Sequence, residues 1–312
     1  MRALVTGGAG FIGSNLVDAL VARGDEVAVV DNISSGRREN LAGALQRGAT
    51  LHEVDIRDGA AVRAAFDAAR PQVVFHLAAQ VDVRKSLADP AYDASINVVG
   101  TVNVLEAARE HAVHRLVNTS TGGAIYGDTD VFPTPETVPP LPMAAYGQSK
   151  QCAEEYCALM GRVYGFPAVT LRYGNVYGPR QDPKGEAGVI AIFAGRLLGG
   201  EQPLVFGDGT QTRDYTFVGD IVAANLTAAE HPDASGAYNI GTGVESSVLD
   251  VLDAMREAGG VAADAFQPQF EPARLGELER SSLDVSRARD GLGFTAGTPL
   301  VEGMRAVLDA LG

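Results

Sequence analysis

A chain of 312 residues with 25 basic and 39 acidic side chains has a formal charge of −14, which argues against chain-wide affinity for nucleic acid or an anionic membrane. Cys152 and Cys157 have neither CxxC nor Cys/His ligand spacing, so free thiols in a reducing cytoplasm are expected, with no metal site. No apolar run approaches the ~18 residues of a membrane helix, and no basic leader precedes the first apolar strand, so a soluble, unanchored chain is expected.

Through the first half, short β-branched or apolar runs alternate with longer helical patterns. Strands are expected at 3–6, 26–30, 50–54, 73–76, 115–119 and 168–172, and helices at 11–23, 59–69, 97–111 and 146–164. That alternation predicts an α/β fold with a doubly wound parallel sheet, whose ligand sits at the carboxyl edge of the strands. After about Asn175 the rhythm gives way to glycine- and proline-rich loops at 177–188 and 199–212, which read as a substrate lobe over the sheet. The expected division is 1–175, with 214–240 returning to it, as the dinucleotide lobe. Residues 176–213 and 241–312 form the smaller C-terminal α/β lobe.

The first strand runs into Gly7-Gly8-Ala9-Gly10-Phe11-Ile12-Gly13 and then a helix. Missing side chains let this backbone approach a pyrophosphate at a helix N-terminus, where free N–H groups attract anions. Asp31 ends the second strand, where a carboxylate bonds the ribose hydroxyls and repels a 2′-phosphate, favouring NAD. Arg37 and Arg38 follow in the same loop, so NADP stays a minority alternative. Asp55 suits the adenine amino group; the competing reading is an acidic helix cap before Arg57 and Asp58.

Tyr146 and Lys150 stand one helical turn apart and share a helix face. A cation beside a phenol favours the phenolate, so the pair is a candidate general base. Taken alone, such a pair is more often two side chains on a solvated surface. Lysine is nevertheless rare here, with Lys85, Lys150 and Lys184 the only three.

Thr6 to Gly13, Asp31, Asp55-Ile56, His76-Leu77-Ala78-Ala79-Gln80, Ser120-Thr121, Tyr146-x-x-x-Lys150 and Leu171-Arg172-Tyr173-Gly174-Asn175 occur in the order of the extended short-chain dehydrogenase/reductases, Rossmann-type enzymes. The resemblance covers nearly the whole chain and, with Arg213-Asp214-Tyr215, Asn239 to Gly243 and Arg274-x-Gly276-Glu277, is strongest to the UDP-glucose 4-epimerases and their nucleotide-sugar epimerase relatives.

That resemblance implies Tyr146 as base, Lys150 as its tuner and nicotinamide-ribose ligand, and Thr121 as the hydroxyl that bonds the reacting sugar oxygen. Tightly bound NAD would take a hydride from C4 of a UDP-hexose and return it to the other face of a 4-keto sugar. The implied cofactor contacts are Gly7, Gly10, Phe11, Ile12, Gly13, Asp31, Asn32, Asp55, Ile56, Leu77, Ala78, Ala79, Gln80, Asn97, Thr119, Tyr146, Lys150 and Tyr173. Those for substrate are Ser120, Thr121, Tyr146, Asn175, Gly188, Val189, Arg213, Arg274 and Glu277, with the arginines on the diphosphate. Taken singly, Arg213 could instead pair with Asp214, and Arg274 with Glu271 or Glu277. Arg180 reads as a surface or interface residue.

One departure is visible. Many relatives carry the catalytic hydroxyl four residues before the following Tyr-Gly, which here is Gly122; Thr121 stands one place earlier, with Ser120 as the alternative. The freedom of Gly122-Gly123 is expected to let Thr121 swing into place. Sugar-nucleotide 4,6-dehydratases carry an Asp-Glu pair after the Thr and UDP-glucuronate decarboxylases a Glu, so glycine there favours epimerisation.

Ser281 stands where narrow-pocket epimerases resemble one another in carrying a bulky aromatic, so UDP-GlcNAc/UDP-GalNAc join UDP-glucose/UDP-galactose as expected substrates. A UDP-glucuronate 4-epimerase is the alternative enzyme, and an NAD-binding sensor the alternative outside catalysis. The helices at 97–111 and 146–164 carry broad apolar faces, and by resemblance form the four-helix interface of a homodimer.

Overall fold

The computed structural model describes residues 1–182, 188–273 and 278–312. Seven parallel strands make the central sheet: β1 (Arg2–Thr6), β2 (Glu26–Asp31), β3 (Thr50–Glu53), β4 (Val73–His76), β5 (Arg115–Thr121), β6 (Ala168–Tyr173) and β7 (Gly236–Ile240). Their order is β7-β6-β5-β4-β1-β2-β3. The chain runs outward from β1 in one direction and returns to β4 on its other side. The crevice beyond the ends of β1 and β4 is therefore the topological switch point, where ligands of such sheets bind.

These strands read as continuous apolar runs because both sheet faces are covered. Ala3, Val5, Phe75 and Val117 point into one core with Leu16, Val17 and Leu20 of the helix Phe11–Ala22 and Ile221 of the helix Val218–Glu230. Leu4, Val74 and Leu116 alternate into the other, with Phe66, Leu105, Cys157 and Met160. Gly236–Ile240 pairs with β6 and the helix Val218–Glu230 packs on the sheet, while Tyr215–Phe217 pairs with Asn175–Tyr177 outside it.

A third core, separate from the two sheet faces, gathers Phe193, Val205, Leu252, Met255, Phe266 and Met304. Phe193 and Phe266 meet edge-on at 6.4 Å, an arrangement that adds about 1 kcal/mol to their burial. The helix Val248–Gly259 is started by a reciprocal Ser247/Asp250 capping box and stopped by Gly260 at φ 64°. Ala288, Leu292 and Phe294 pack against the sheet core instead.

Two stretches differ from the expected pattern. The helix expected at 97–111 is α-helical over Thr101–Glu110 and is preceded by a π turn at Ser95–Gly100 and a short helix at Pro90–Ala94. Within the loop expected at 199–212, Leu204–Phe206 pairs in parallel with Gln269–Glu271. Three-residue strands have no periodicity that a sequence can display.

Candidate functional site

The turns after β1 and β4 are pressed together. A Cβ on Gly7, which sits at φ 69°, would lie 2.6 Å from the Ala78 nitrogen, and one on Gly13 would lie 2.2 Å from the Gly7 carbonyl oxygen. Only glycine fits at these two positions. The helix Phe11–Ala22 that follows has no side-chain cap and no acid in its first turn, so its N-terminal N–H groups and dipole face the crevice uncompensated. A pyrophosphate fits this cradle.

Asp31 is buried, and its two carboxylate oxygens accept the Ala9 N–H at 2.9 Å and the Ile33 N–H at 2.8 Å. It thus holds the phosphate turn as well as standing at the expected ribose position, a task with no sequence signal. The Arg57 guanidinium beside Asp55 holds that carboxyl down at about 2. Asp58, and not Asp55, caps the helix Gly59–Ala69. Arg37 pairs with Asp182 at 2.6 Å and Arg38 with Glu53. Both arginines are therefore occupied by carboxylates, which agrees with NAD.

Behind the β4 turn runs a buried polar chain that the sequence does not announce. The Leu77 and Ala78 N–H groups each reach Thr6 Oγ1 at 3.2 Å, and Thr6 Oγ1 lies 2.7 Å from His76 Nδ1. His76 Nε2 stands 2.9 Å from Thr101 Oγ1, whose hydroxyl donates to the Asn97 carbonyl at 2.7 Å. Because the one Thr101 proton is so used, His76 donates through Nε2 and accepts through Nδ1. Asn97 then clamps Gln80, accepting its N–H at 2.8 Å and donating to its carbonyl at 2.9 Å. Burial, with the Lys150 charge, holds the imidazole neutral down to about 3.

Tyr146 and Lys150 lie in the first two turns of the helix Ala145–Tyr164, whose Tyr146 N–H is held by Ser86 Oγ at 3.0 Å. Lys150 is 4% exposed. The expectation that the ammonium depresses the phenol is not met in the protein alone. Burial pushes the Tyr146 hydroxyl up to about 12, the Asp93 charge adding to the rise and a hydrogen bond with Thr121 opposing it. Burial likewise brings Lys150 down to about 8, against the charges of Glu154, Cys157 and Asp93. Desolvation of each group exceeds any attraction between them.

Of the two candidate hydroxyls, Thr121 is the one that acts on the Tyr146 phenol, lowering it against its burial, while Ser120 Oγ is buried with no partner among the described residues. Gly122 and Gly123 do not use the freedom expected of them, since neither has a positive φ. What they supply is room. A Cβ on Gly122 would lie 2.5 Å from Leu283, and one on Gly123 3.3 Å from Asn175 Oδ1. Thr119 and Tyr173 hydrogen-bond each other at 3.2 Å, and Asn225 donates to the Tyr173 hydroxyl at 2.7 Å.

One turn beyond Lys150, Glu154 forms a buried ion pair with Arg172 at 2.6 Å. Arg172 also donates to the Tyr126 hydroxyl at 2.8 Å, which donates to Asn239 Oδ1 at 2.7 Å. Asn239 in turn donates to the carbonyls of Thr134 and Asp284. The helix Ala145–Tyr164 is thereby tied to β6, to β7 and to the backbone at Thr134 and Asp284.

Asn175 leads from the strand ends into a cavity of about 570 Å³, walled also by Gly188, Val189, Arg213, Arg196, Phe206 and Tyr215. Arg213 bonds the Thr212 carbonyl at 2.7 Å and makes no ion pair among the described residues. The competing reading, pairing with Asp214, fails because that carboxylate is taken by the N–H groups of Thr242 at 2.8 Å and Gly243 at 3.0 Å and by the Thr242 hydroxyl. The helix Val189–Leu198 begins at Gly188 with no side-chain cap. Arg196, on its last turn, was missed because a helical arginine carries no mark of facing a cavity. Arg274 and Glu277 lie outside the described residues.

Residues 3–241 match the NAD dependent epimerase/dehydratase family. A UDP-glucose 4-epimerase of Mycolicibacterium smegmatis is 45% identical over 310 residues, which are 99% of this chain and 98% of that protein. The structure of a UDP-glucose 4-epimerase from Thermotoga maritima with UDP-glucose superposes at a TM-score of 0.93 and 44% identity, covering 100% of this chain and 98% of that one. That of a Thermus thermophilus UDP-glucose 4-epimerase complexed with NAD superposes at 0.89 and 45% identity, covering 99% and 98%.

Proposed function

The chain belongs to the NAD dependent epimerase/dehydratase family, and we propose that it inverts C4 of a UDP-hexose, interconverting UDP-glucose and UDP-galactose. One observation carries this reading. Thr121 ends β5 at the carboxyl edge of the sheet and acts on Tyr146, which stands one turn from buried Lys150, and the two residues after Thr121 are glycines packed under Leu283 and Asn175. The two positions after Thr121 thus hold no carboxyl to act as a second acid, which suits reversible oxidation at a single carbon and leaves elimination without a proton donor there.

In the proposed cycle Thr121 orients the C4 hydroxyl and Tyr146, as phenolate, takes its proton. When bound, NAD⁺ supplies the hydride acceptor for C4 and a positive ring, and the hydride it returns makes the reaction redox-neutral. Tyr146 gives the proton back after the 4-keto sugar has turned over. Gly7, Gly10 and Gly13 with Phe11 and Ile12 would hold the pyrophosphate, Asp31 and Asn32 the adenosine ribose, Asp55 and Ile56 the adenine. The 77–80 turn with Asn97, together with Thr119, Lys150 and Tyr173, would line the nicotinamide side. Arg213 would meet the UDP diphosphate, with Ser120, Asn175, Gly188 and Val189 around the nucleotide sugar. We place residues 1–175 with 214–240 as the cofactor lobe and the remainder as the substrate lobe. Ser281 leaves room at C2, so the N-acetylated pair is included among the substrates.

The proposed assembly is a homodimer in the cytoplasm. Tyr156, Leu159 and Val163 form an exposed stripe at helical spacing, with Val99 51% exposed on the preceding helical segment, a pattern suited to helix–helix association. Both cysteines are free thiols. Among the described residues no helix is long and apolar enough to cross a membrane. An interconversion assay over the glucose, N-acetylated and glucuronate UDP-sugar pairs tests the reaction, and sedimentation of the native protein against Leu159→Glu tests the dimer. Turnover of glucuronate alone would replace the substrate; a native monomer would remove the dimer.

A further inference from the structure

One buried titratable group has no part in the cycle above. Asp93, on the short helix Pro90–Ala94, is 0% exposed. Its Oδ1 accepts Gln80 Nε2 at 2.8 Å and Asn97 Nδ2 at 3.1 Å, while Oδ2 is buried with no partner among the described residues. A carboxylate held out of water by two amide donors is costly unless an opposite charge faces it.

The groups around it can be enumerated by element. The helix Ala145–Tyr164, which packs against the Asp93 helix, presents Tyr146, Lys150 and Glu154. Glu154 is already paired with Arg172. From β4 comes His76, which is neutral. Arg84 and Lys85 on the helix Val83–Ala88 are exposed, and Lys85 lies over the Tyr92 ring at 4.7 Å, as does Arg57 at 5.6 Å. Asp89, on the same side of the chain, is exposed and caps its own helix. Cys157 on the helix Ala145–Tyr164 is a thiol that burial pushes up to about 12, so among the described residues of these elements Lys150 is the buried cation left to balance Asp93.

We propose that Asp93 is a positioning residue of the catalytic site: its carboxylate is the buried counter-charge that keeps Lys150 an ammonium and keeps Tyr146 protonated until substrate arrives, while Gln80 and Asn97 tie that charge to the nicotinamide-side turn. This rests on the epimerase reading of the site. The Asp93 charge acts in the same direction on both groups, raising the phenol and the ammonium together. Removing it makes a phenolate easier and an ammonium harder to keep, so both groups titrate at lower pH. Asparagine is the suitable replacement, because its oxygen can take the two amide donors and its NH₂ fills the partnerless side.

The test uses the purified holoenzyme and Asp93→Asn. The profile of kcat/KM against pH is expected to keep its bell shape while both limbs move down by roughly one pH unit. The phenolate absorbance of Asp93→Asn minus that of Asp93→Asn/Tyr146→Phe isolates Tyr146, and is expected to appear at lower pH than in the wild-type/Tyr146→Phe pair. A fall in kcat with both limbs and the phenolate titration unmoved would assign Asp93 a purely structural role and overturn the proposal. Gln80→Met keeps the charge and loosens its hold. It is expected to lower kcat with unmoved limbs, and shifted limbs there would overturn the proposal even if Asp93→Asn does not fold. If no UDP-sugar is turned over, the epimerase reading fails, and the phenolate titration still decides the role of Asp93.

Discussion

In the cofactor lobe the candidate site is built from backbone: two strand-end turns so close that Gly7 and Gly13 have no space for a Cβ, and an uncapped helix N-terminus. In the second lobe it is built from side chains, with Arg213, Arg196, Phe206 and Tyr215 walling a cavity between elements as short as two or three residues. A site made of backbone tolerates one residue type per position and so leaves a pattern in the sequence. A site made of side chains can be reached from many sequences and leaves little.

The largest expected effect falls on the buried ion pair that joins the helix Ala145–Tyr164 to β6. Glu154→Gln leaves Arg172 buried without its partner, a change that costs about 3–5 kcal/mol in comparable pairs. Calorimetry should show melting lowered by several degrees, and the helix Ala145–Tyr164 should lose protection from proteolysis together with the sheet. A loss below about 1 kcal/mol would mean that the helix and the sheet do not depend on this tie.

Within the cofactor lobe, Gly13→Ala places a methyl group 2.2 Å from the Gly7 oxygen. Displacing the turn should cost on the order of 3 kcal/mol in NAD affinity, roughly 100-fold, read as cofactor released from the purified protein. Its counterpart in the other lobe is Arg213→Ala. Loss of one charge-assisted contact is worth about 2 kcal/mol, so KM for the UDP-sugar should rise roughly 30-fold with kcat little changed and NAD retained. Should Gly13→Ala alter KM alone, or Arg213→Ala release NAD, the division of labour would be wrong.

The smallest effect is a pH dependence of the polar chain behind the β4 turn. His76 is held neutral down to about 3, while in the unfolded chain it takes a proton near ~6.5. The unfolded state therefore binds the extra proton between those values, and stability falls as pH drops below ~6.5, by up to about 1.4 kcal/mol per unit. Asp55 and Glu245, each held at about 2, contribute in the same direction only below ~4. Urea denaturation at pH 7, 6 and 5 should show this slope in the native protein and a flatter one in His76→Asn.

The legibility of the chain follows the same contrast. Six strands of the sheet, the glycine turn, Asp31 and the Tyr146/Lys150 spacing could be read because each is a local pattern with a steric or periodic cause. The chain from Thr6 through His76 and Thr101 to Asn97 spans three separate segments, and nothing in any one of them marks a hydroxyl as buried. Asp93 was invisible for that reason. At Gly122-Gly123 the residues were noticed but the cause was not, since the close approach of Leu283 and Asn175 is a tertiary fact. The mutual effect of Tyr146 and Lys150 was misjudged because spacing reports proximity and is silent on desolvation.

The central claim is inversion at C4 by a proton-transfer centre at Tyr146. Purified protein without added cofactor should bring UDP-glucose and UDP-galactose to one common equilibrium mixture from either side, with no continuing rise in reduced-nicotinamide absorbance, and Tyr146→Phe should slow this by about 10³-fold. Steady release of NADH, or full interconversion by Tyr146→Phe, would contradict the account.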